Sequence, residues 1–379
     1  MVNSFFFIFI INAVISIEHF SSRMSGNFHA DAFCYAQEAT RRLYKYDSHG
    51  STRHGRRSGR DNSFLCITFV RLCFRAGFGG RWRVFNVAGT TDIAVFRRNN
   101  MALNLDMVGK KMDPEPFTYD EDNVILYSLG IGAGVEELDF VYEKNLRVFP
   151  TFAVTPFIPS LFSSFVPRTK LNLLAVLHGE HTIMLHRPIP TSGTIHTTTK
   201  WDSVYDKGDK GAILNISFET RDVNGALLFE NKAVIVDRSA GNFGGDRGPK
   251  SEIITPPEGK TPDFRFEYAT TTEQAALYRL SGDRNPIHID PGFAKKGGFH
   301  GPILHGLCTF GFAGRAILYG ACDGDTSRFK SFSARFLNVV FPGDTLITEG
   351  WNVDRGRYII QTSTPDGSVV LGNAAAEVG

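Results

Sequence analysis

The densest group of side chains that could do chemistry lies in residues 281–291, SGDRNPIHIDP. Asp283, Asn285 and His288 stand at positions i, i+2 and i+5, and Pro286 biases the residue before it away from helix, which predicts a shaped loop. A carboxylate and an imidazole held close together can share acid/base work, because the imidazole titrates near neutral pH. Taken alone, the spacing is also consistent with a turn whose polar side chains satisfy one another.

A helix start follows this loop and adds a second chemical feature. Residues 303–318 carry apolar side chains at helical spacing after Gly301-Pro302, and the pattern stops near Gly320, which predicts a helix. Gly306 opens the helix, where unpaired backbone N–H groups and the positive end of the helix dipole can stabilise a developing oxyanion. The loop and the helix start together favour catalysis over a structural turn.

The elements that position these residues belong to an internal repeat with an offset of 151. LY at 126–127 matches LY at 277–278, and SGTI at 192–195 matches GDTL at 343–346. Alternating apolar and polar runs after both copies predict strands at 212–218, 226–236, 358–362 and 369–375. Each half is therefore predicted to be a helix-bearing segment followed by an antiparallel sheet, an α+β arrangement.

The two predicted modules differ in their central helix. The first-half counterpart, PTFAVTPFIPSLFSSFVP, contains Pro156, Pro159 and Pro167, which predicts that a full-length helix does not form there. We expect an N-terminal module at 101–240, a linker rich in Gly, Pro and charge at 241–262, and a catalytic module at 263–379.

The first hundred residues of the 379 have a different composition. They hold 14 Lys and Arg against 6 Asp and Glu, a balance of +8, whereas residues 101–379 hold 27 against 33, a balance of −6. The apolar run 5–17 is too short to span a bilayer and lacks the basic start and the cleavage site of a signal peptide. The arginines that follow it could form a nucleic-acid patch or a transit peptide, but the segment shows no sustained period. We therefore expect residues 1–100 to be a poorly ordered or non-native extension, and neither nucleic acid nor membrane to be a partner.

Four segments of the sequence resemble those of a known enzyme family. GDRNPIHIDPGFAKKGGFHGPILHGLCTFGFAGRAI resembles the hydratase-2 motif of the MaoC-like, R-specific enoyl-CoA hydratases. PFTYDEDNVILYSLGIGAG, VLHGEH and SVYDKGDKG resemble the hydratase-2 unit of peroxisomal multifunctional enzyme type 2. The resemblance implies a double hot-dog fold, in which each half wraps an antiparallel sheet around a central helix. It also implies reversible addition of water to trans-2-enoyl-CoA, giving (3R)-3-hydroxyacyl-CoA in fatty acid β-oxidation.

The resemblance also implies roles for individual residues. Asp283 and His288 would activate the water and deliver the proton, Asn285 would hold their geometry, and the N–H of Gly306 would bind the thioester oxygen. Contacts to CoA and the acyl chain would come from His178, Gly179, Lys207 and Phe336. Acyl-CoA is then the substrate, and no cofactor or metal is expected. The five cysteines, which form no CxxC or His/Cys ligand spacing, also argue against a zinc site.

Two other functions compete with hydration. A hot-dog thioesterase would hydrolyse the thioester, and a non-catalytic acyl-CoA-binding module would be expected to have lost the Asp283 and His288 pair, which is present. Residues 376–379 read AEVG, which is not a peroxisomal tripeptide of the SKL kind, so a peroxisomal location is expected from the resemblance alone. A homodimer is a further possibility.

The repeat predicts where catalysis does not occur. At the offset of 151, Asp283 corresponds to Gly132, Asn285 to Gly134 and His288 to Glu137. Glycine offers no side chain that could polarise water, and a single Glu cannot replace the pair. We therefore expect one active site per chain, in the second half.

Overall fold

The computed structural model describes residues 69–75, 82–88, 103–172, 175–250 and 252–379. Within the N-terminal unit, strands β1 (Phe69–Arg75) and β2 (Trp82–Ala88) pair antiparallel as a two-stranded sheet. Apart from these two strands, residues 1–100 lie outside the described residues. The expectation that they form a poorly ordered or non-native extension therefore stays a prediction.

The helices and strands of residues 103–379 alternate in a pattern that occurs twice. The first half contains β3 (Glu115–Tyr119), α1 (Glu121–Gly130), α2 (Leu138–Val141), α3 (Phe157–Ser160), α4 (Val166–Thr169), β4 (Val176–Leu185), β5 (Gly193–Asp206), β6 (Ala212–Asp222) and β7 (Leu227–Asp237). The second half contains β8 (Phe264–Ala269), α5 (Gln274–Tyr278), α6 (Pro291–Lys296), α7 (Gly306–Ala321), β9 (Phe329–Phe336), β10 (Thr345–Asp354), β11 (Arg357–Ser363) and β12 (Val369–Val378).

Strands β3 to β12 form one ten-stranded antiparallel sheet in the order β3-β5-β6-β7-β4-β9-β12-β11-β10-β8. From each outer edge inward, a half runs through its first, third, fourth, fifth and second strand, so the two halves share one topology. The second strands, β4 and β9, pair at the centre with Glu180 opposite Arg335 and Met184 opposite Ser331. We call this pairing the seam. The prediction of two α+β modules in a double hot-dog fold is confirmed.

Helix α7 is the central helix of the second half. It is buried along most of its length and packs against β8, β9, β10 and β12. The helix begins at Gly306, as predicted, three residues after the apolar pattern starts at Ile303. The N–H of Ile303 donates to the carbonyl of Ile287 at 3.3 Å and that of Leu304 to the carbonyl of Val340 at 2.7 Å, and the extended backbone of His305 (ψ 135°) separates this stretch from the helix.

The corresponding region of the first half forms no single regular helix. A 3-10 turn (Pro150–Val154) leads into α3, a π-helical turn (Leu161–Phe165) and α4. The three prolines interrupt the regular hydrogen-bond ladder, as the sequence predicted. This irregular stretch buries Phe152, Phe157 and Phe165 in the first-half core.

The linker is held against the first half at its beginning. Residues 241–250 and 252–262 form no helix or strand. The carboxylate of Asp206, at the end of β5, accepts hydrogen bonds of 2.8 Å from the N–H groups of Gly208, Asn242 and Gly244. These backbone donors, Gly208 foremost, lower the pKa of Asp206 to about 2, so the anchor persists across the physiological pH range.

Candidate active site

The loop that carries Asp283 is shaped by its own side chains. Asp283 Oδ1 accepts from the N–H of Asn285 at 3.1 Å, and Asn285 Oδ1 accepts from the N–H of Ile287 at 3.2 Å, at the start of a 3-10 turn (Pro286–His288). The shaped loop predicted from Pro286 is confirmed. Because Oδ1 of Asp283 is engaged, its Oδ2 is the carboxylate oxygen that faces His288.

His288 is held in one tautomer. Its Nδ1 lies 2.8 Å from the carbonyl oxygen of Ile303, and since a carbonyl only accepts, Nδ1 carries the proton and Nε2 keeps a lone pair. That Nε2 lies 3.9 Å from Oδ2 of Asp283. Burial lowers the pKa of His288, and the Asp283 carboxylate and the Ile303 carbonyl oppose the shift without cancelling it. His288 is therefore a neutral base near pH 7.

A second histidine, His305, was not identified from the sequence as a site residue. Its ring stacks on that of His288 with 3.7 Å between centroids, and its Nε2 lies 3.0 Å from the carbonyl oxygen of Asp283. Burial, with a smaller contribution from His288, lowers the pKa of His305 to about 2, so it is neutral. The signal that could have found it is its position directly before Gly306, at the helix start.

Gly306 is the first residue of α7, and His305 is its N-cap residue. Among the described residues, no side chain caps the first turn. An added Cβ at Gly306 would lie 3.1 Å from the ring of Phe336, the last residue of β9, so glycine allows this close approach. The uncapped N–H groups and the helix dipole suit this end of α7 to bind an oxyanion.

The first half contributes His178 across the seam. The register of β4 against β7 shifts between His178 and Glu180, which places Gly179 in a bulge. The His178 ring lies 4.9 Å from that of Phe336 and 5.5 Å from that of Phe157, by centroids. Burial, followed by His181, keeps the pKa of His178 well below its ordinary value. Three of the predicted site residues therefore converge, Gly306, Phe336 and His178, while Gly179 follows His178 in the chain and packs against Val234 and Val236 of β7.

Lys207 contacts residues of the linker and of β5. Its ammonium donates to the carbonyl of Arg247 in the linker and lies 5.7 Å from the ring centroid of Tyr205. Its position therefore follows from the Asp206 anchor. Within the described ranges, the contacts of Lys207 do not include the seven other predicted site residues.

Asp283, His288 and His305 place potential metal ligands within 4.8 Å of one another. Their geometry suits a shared cation poorly, because the ring planes of the two histidines are only 27° apart and stacked. Lone pairs that lie in two stacked planes do not converge on one point. Nδ1 of His288 and Nε2 of His305 are also bonded to carbonyls. A reaction without a metal stays a prediction, and this arrangement gives a physical reason for it.

The equivalent place in the first half is filled by side chains from α7. Gly132 has φ +79°, and an added Cβ there would overlap the ring of Phe312, so no carboxylate fits where the second half has Asp283. Glu137, at the place of His288, forms an ion pair with Arg315 of α7. The first-half copy thus packs around the central helix of the second half.

We expect active-site titration with a tight-binding substrate analogue to give about one equivalent per chain. The occupied space at Gly132 and the ion-paired Glu137 leave the first half without an acid/base pair. Isothermal titration calorimetry would measure the stoichiometry. Two equivalents, or hydration that persists after Asp283 and His288 are both replaced, would contradict this expectation.

Both halves of the chain match known protein families. The family described as MFE-2 hydratase 2 N-terminal domain matches residues 117–239, and the MaoC like domain matches residues 254–371. "Probable enoyl-CoA hydratase 2" of Dictyostelium discoideum is 38% identical over 278 residues, which covers 71% of this chain and 94% of that protein.

Solved structures have the same fold. A MaoC-like dehydratase from Phytophthora Capsici superposes with a TM-score of 0.66 and 33% identity, covering 73% of this chain and 99% of that chain. Full-length peroxisomal multifunctional enzyme type 2 from Drosophila melanogaster gives a TM-score of 0.61 and 34% identity, covering 71% of this chain and 48% of the longer enzyme. With both halves matched and one relative covered almost end to end, the chain belongs to the MaoC-like enoyl-CoA hydratase 2 family.

Proposed function

We propose that this protein is a (3R)-specific enoyl-CoA hydratase, which adds water reversibly to trans-2-enoyl-CoA in fatty acid β-oxidation. The observation that carries the proposal is the Asp283 and His288 pair, joined through His305 to the uncapped start of α7. Hydration of crotonyl-CoA and decenoyl-CoA, followed spectrophotometrically with chiral analysis of the product, tests it. Absence of turnover, or a (3S) product, would refute it.

The geometry supports a proton balance that leaves the enzyme unchanged. Nε2 of His288 and Oδ2 of Asp283 both offer lone pairs to one small space, where a water can be bound and deprotonated. Its oxygen bonds to C3 as the C2=C3 double bond opens, and negative charge develops on the thioester oxygen near the N–H of Gly306. A proton from the pair then reaches C2, so both groups return to their starting state. The reverse sequence releases water.

We expect the acid limb of the kcat/KM profile to lie below pH 6.5. His288 must be neutral to accept a proton, and a lowered pKa keeps it neutral at pH values where an ordinary histidine is charged. Activity should therefore be retained as the pH falls through 6.5 and be lost only below it. Steady-state rates in buffers of constant ionic strength would measure this. An acid limb at or above 6.5 would assign the base role to another group.

Substrate binding is proposed for both halves. Phe336 lies against Gly306 at the start of α7 and His178 packs on Phe336, so these two residues, with the adjacent Gly179, are suited to contact the acyl-thioester end. Lys207 is suited to a more distant, anionic part of CoA, since its ammonium lies at the linker. The irregular first-half helix, with its buried phenylalanines, is proposed to form the slot for the acyl tail.

A thioesterase reading makes a different chemical prediction. It would release free CoA thiol from enoyl-CoA, which a thiol-reactive dye detects. The neutral His288 and the paired carboxylate would also serve hydrolysis, but the family membership favours hydration. Stoichiometric release of thiol without 3-hydroxyacyl-CoA would decide for the thioesterase.

The proposal also covers the ligands, the cellular location and the partners of the protein. Acyl-CoA is the substrate, and no cofactor or metal is proposed. In the described part of the chain no helix is both long and apolar enough to cross a bilayer. Relatives named as peroxisomal, such as enoyl-CoA hydratase 2 of Arabidopsis thaliana, support a peroxisomal location, which microscopy of the tagged chain would test. That the protein forms a homodimer stays a prediction, which analytical ultracentrifugation would test. That it binds no nucleic acid also stays a prediction.

A further inference from the structure

We propose that His305 is a positioning residue for hydration, which holds the Asp283 loop, the His288 ring and the start of α7 in one arrangement. Its ring is bonded to the backbone of Asp283 and stacked on His288, and its own backbone immediately precedes Gly306. The inference rests on the proposed function, because positioning is measured through the reaction that the site performs.

The bond to Asp283 ties the loop to the central helix. Because a carbonyl oxygen only accepts, the 3.0 Å contact requires His305 to carry its proton on Nε2. The bonds that the Asp283 and Asn285 side chains accept span two residues and lie at the surface, and two further bonds join the far end of the loop, at Ile287 and His288, to Ile303. The His305 bond joins residues 22 apart in sequence and is itself partly buried. It therefore connects the residue before α7 directly to Asp283, at the end of the loop opposite the Ile303 bonds.

The stack covers one face of the catalytic histidine. With 3.7 Å between centroids and 27° between planes, the His305 ring leaves no room for water against that face of His288. The Nδ1 bond to Ile303 fixes the ring at its edge, and the stack prevents it from tilting. Together they direct Nε2 of His288 towards Asp283.

The unused nitrogen of His305 indicates why a histidine stands there. Nδ1 is buried and, among the described residues, has no hydrogen-bond partner. An unpaired buried acceptor costs free energy, which phenylalanine of similar shape would avoid. Packing alone therefore does not explain the residue, whereas the Nε2 donor does.

The charges around the two histidines determine how a substitution changes titration. The Asp283 carboxylate and His305 face His288, while Tyr278 packs on His305 with 5.0 Å between centroids and the charge of Arg279 lies close enough to disfavour a charged His305. Burial is the largest influence on His288. Loss of the covering ring would admit water and raise the pKa of His288 towards its ordinary value.

Two variants separate the donor from the ring. His305→Phe keeps the cover and loses the bond to Asp283, so kcat should fall roughly 10- to 100-fold, with KM within about threefold and the acid limb unmoved. His305→Gln places an amide donor near the position of Nε2 and loses the ring. Its kcat should fall less, and its acid limb should move to higher pH. His300→Phe, at an exposed histidine that packs on Phe341, is the matched control and should behave as wild type.

The titration of His288 can also be measured directly, without following the reaction. Histidine labelled with nitrogen-15 allows His288 to be titrated by NMR in each folded variant, with the resonance assigned through His288→Ala. The His288 midpoint should rise in His305→Gln and stay in place in His305→Phe. A wild type that does not hydrate enoyl-CoA would refute the proposed function and leave this titration to test the contact.

The inference would be overturned by either of two results. One is kcat within threefold of wild type in His305→Phe together with an unmoved His288 midpoint in His305→Gln. The other is a loss of activity in both variants that matches the loss of folded protein measured by circular dichroism, since a purely structural role predicts that proportion.

Discussion

Replacing Asp283 or His288 by alanine should lower kcat for enoyl-CoA hydration by at least ~100-fold while the chain still folds. A positioned general acid or base typically contributes ~10²–10⁴-fold, and here one small space is served by both groups. Folding should survive because the carboxylate is partly exposed and the loop lies outside the sheet. KM should change much less than kcat, since the acyl and CoA contacts are proposed to lie elsewhere.

Two further variants sharpen this expectation. Asp283→Asn keeps an oxygen for the N–H of Asn285 but replaces the charged acceptor Oδ2 by an amide donor, so it should be nearly as inactive as the alanine variant. Asp290→Asn, seven residues along in the same segment, is the control: Asp290 caps α6 by accepting from Gly292 and Phe293, and asparagine caps equally well. Near-normal turnover in either Asp283 variant or in His288→Ala would remove the pair from the mechanism.

The sequence alone indicated only those site residues that lie close together along the chain. Asp283, Asn285 and His288 lie within six residues, so their spacing alone indicated a shaped loop. The convergence of His178 and Phe336 depends on the pairing of β4 with β9, which joins residues some 150 positions apart. Periodicity predicts a strand but not its partner, and these residues could be proposed only through the family resemblance.

His305 shows why a local pattern can also fail. A histidine before a helix start has many ordinary roles, and its importance here depends on a stack and on a backbone bond that only the folded chain creates. Residues 303 and 304 share the apolar spacing of α7, but the extended backbone of His305 keeps them out of the helix.

The repeat was the most informative sequence feature for the division between the halves. It predicted the shared topology and located Gly132 and Glu137 at the places of Asp283 and His288. It did not predict what replaces the acid/base pair. In the fold, Phe312 and Arg315 of α7 occupy that region, so the place of a second site is a contact between the halves, in addition to the seam.

Replacing Arg315 by methionine should therefore destabilise the protein by about 3–5 kcal/mol, because removal of one partner leaves the other as an uncompensated buried charge. The Arg315 side chain is 5% exposed and that of Glu137 12%. The guanidinium also donates to the carbonyl of Ile131 at 3.1 Å and lies 4.3 Å from the ring centroid of Tyr268. Urea denaturation of wild type and variant would measure the change.

A matched control and a second substitution test the cause. Lys111→Met breaks the exposed Lys111–Glu219 pair, which should cost no more than ~1 kcal/mol. Adding Glu137→Leu to Arg315→Met removes the stranded carboxylate and should restore most of the lost stability, since apolar replacements of whole buried pairs are often neutral. If Arg315→Met costs no more than the control, or if the second change adds to the loss, the pair is not what holds α7 against the first half. Because α7 begins at Gly306, the folded fraction of the single variant should also show a lower kcat.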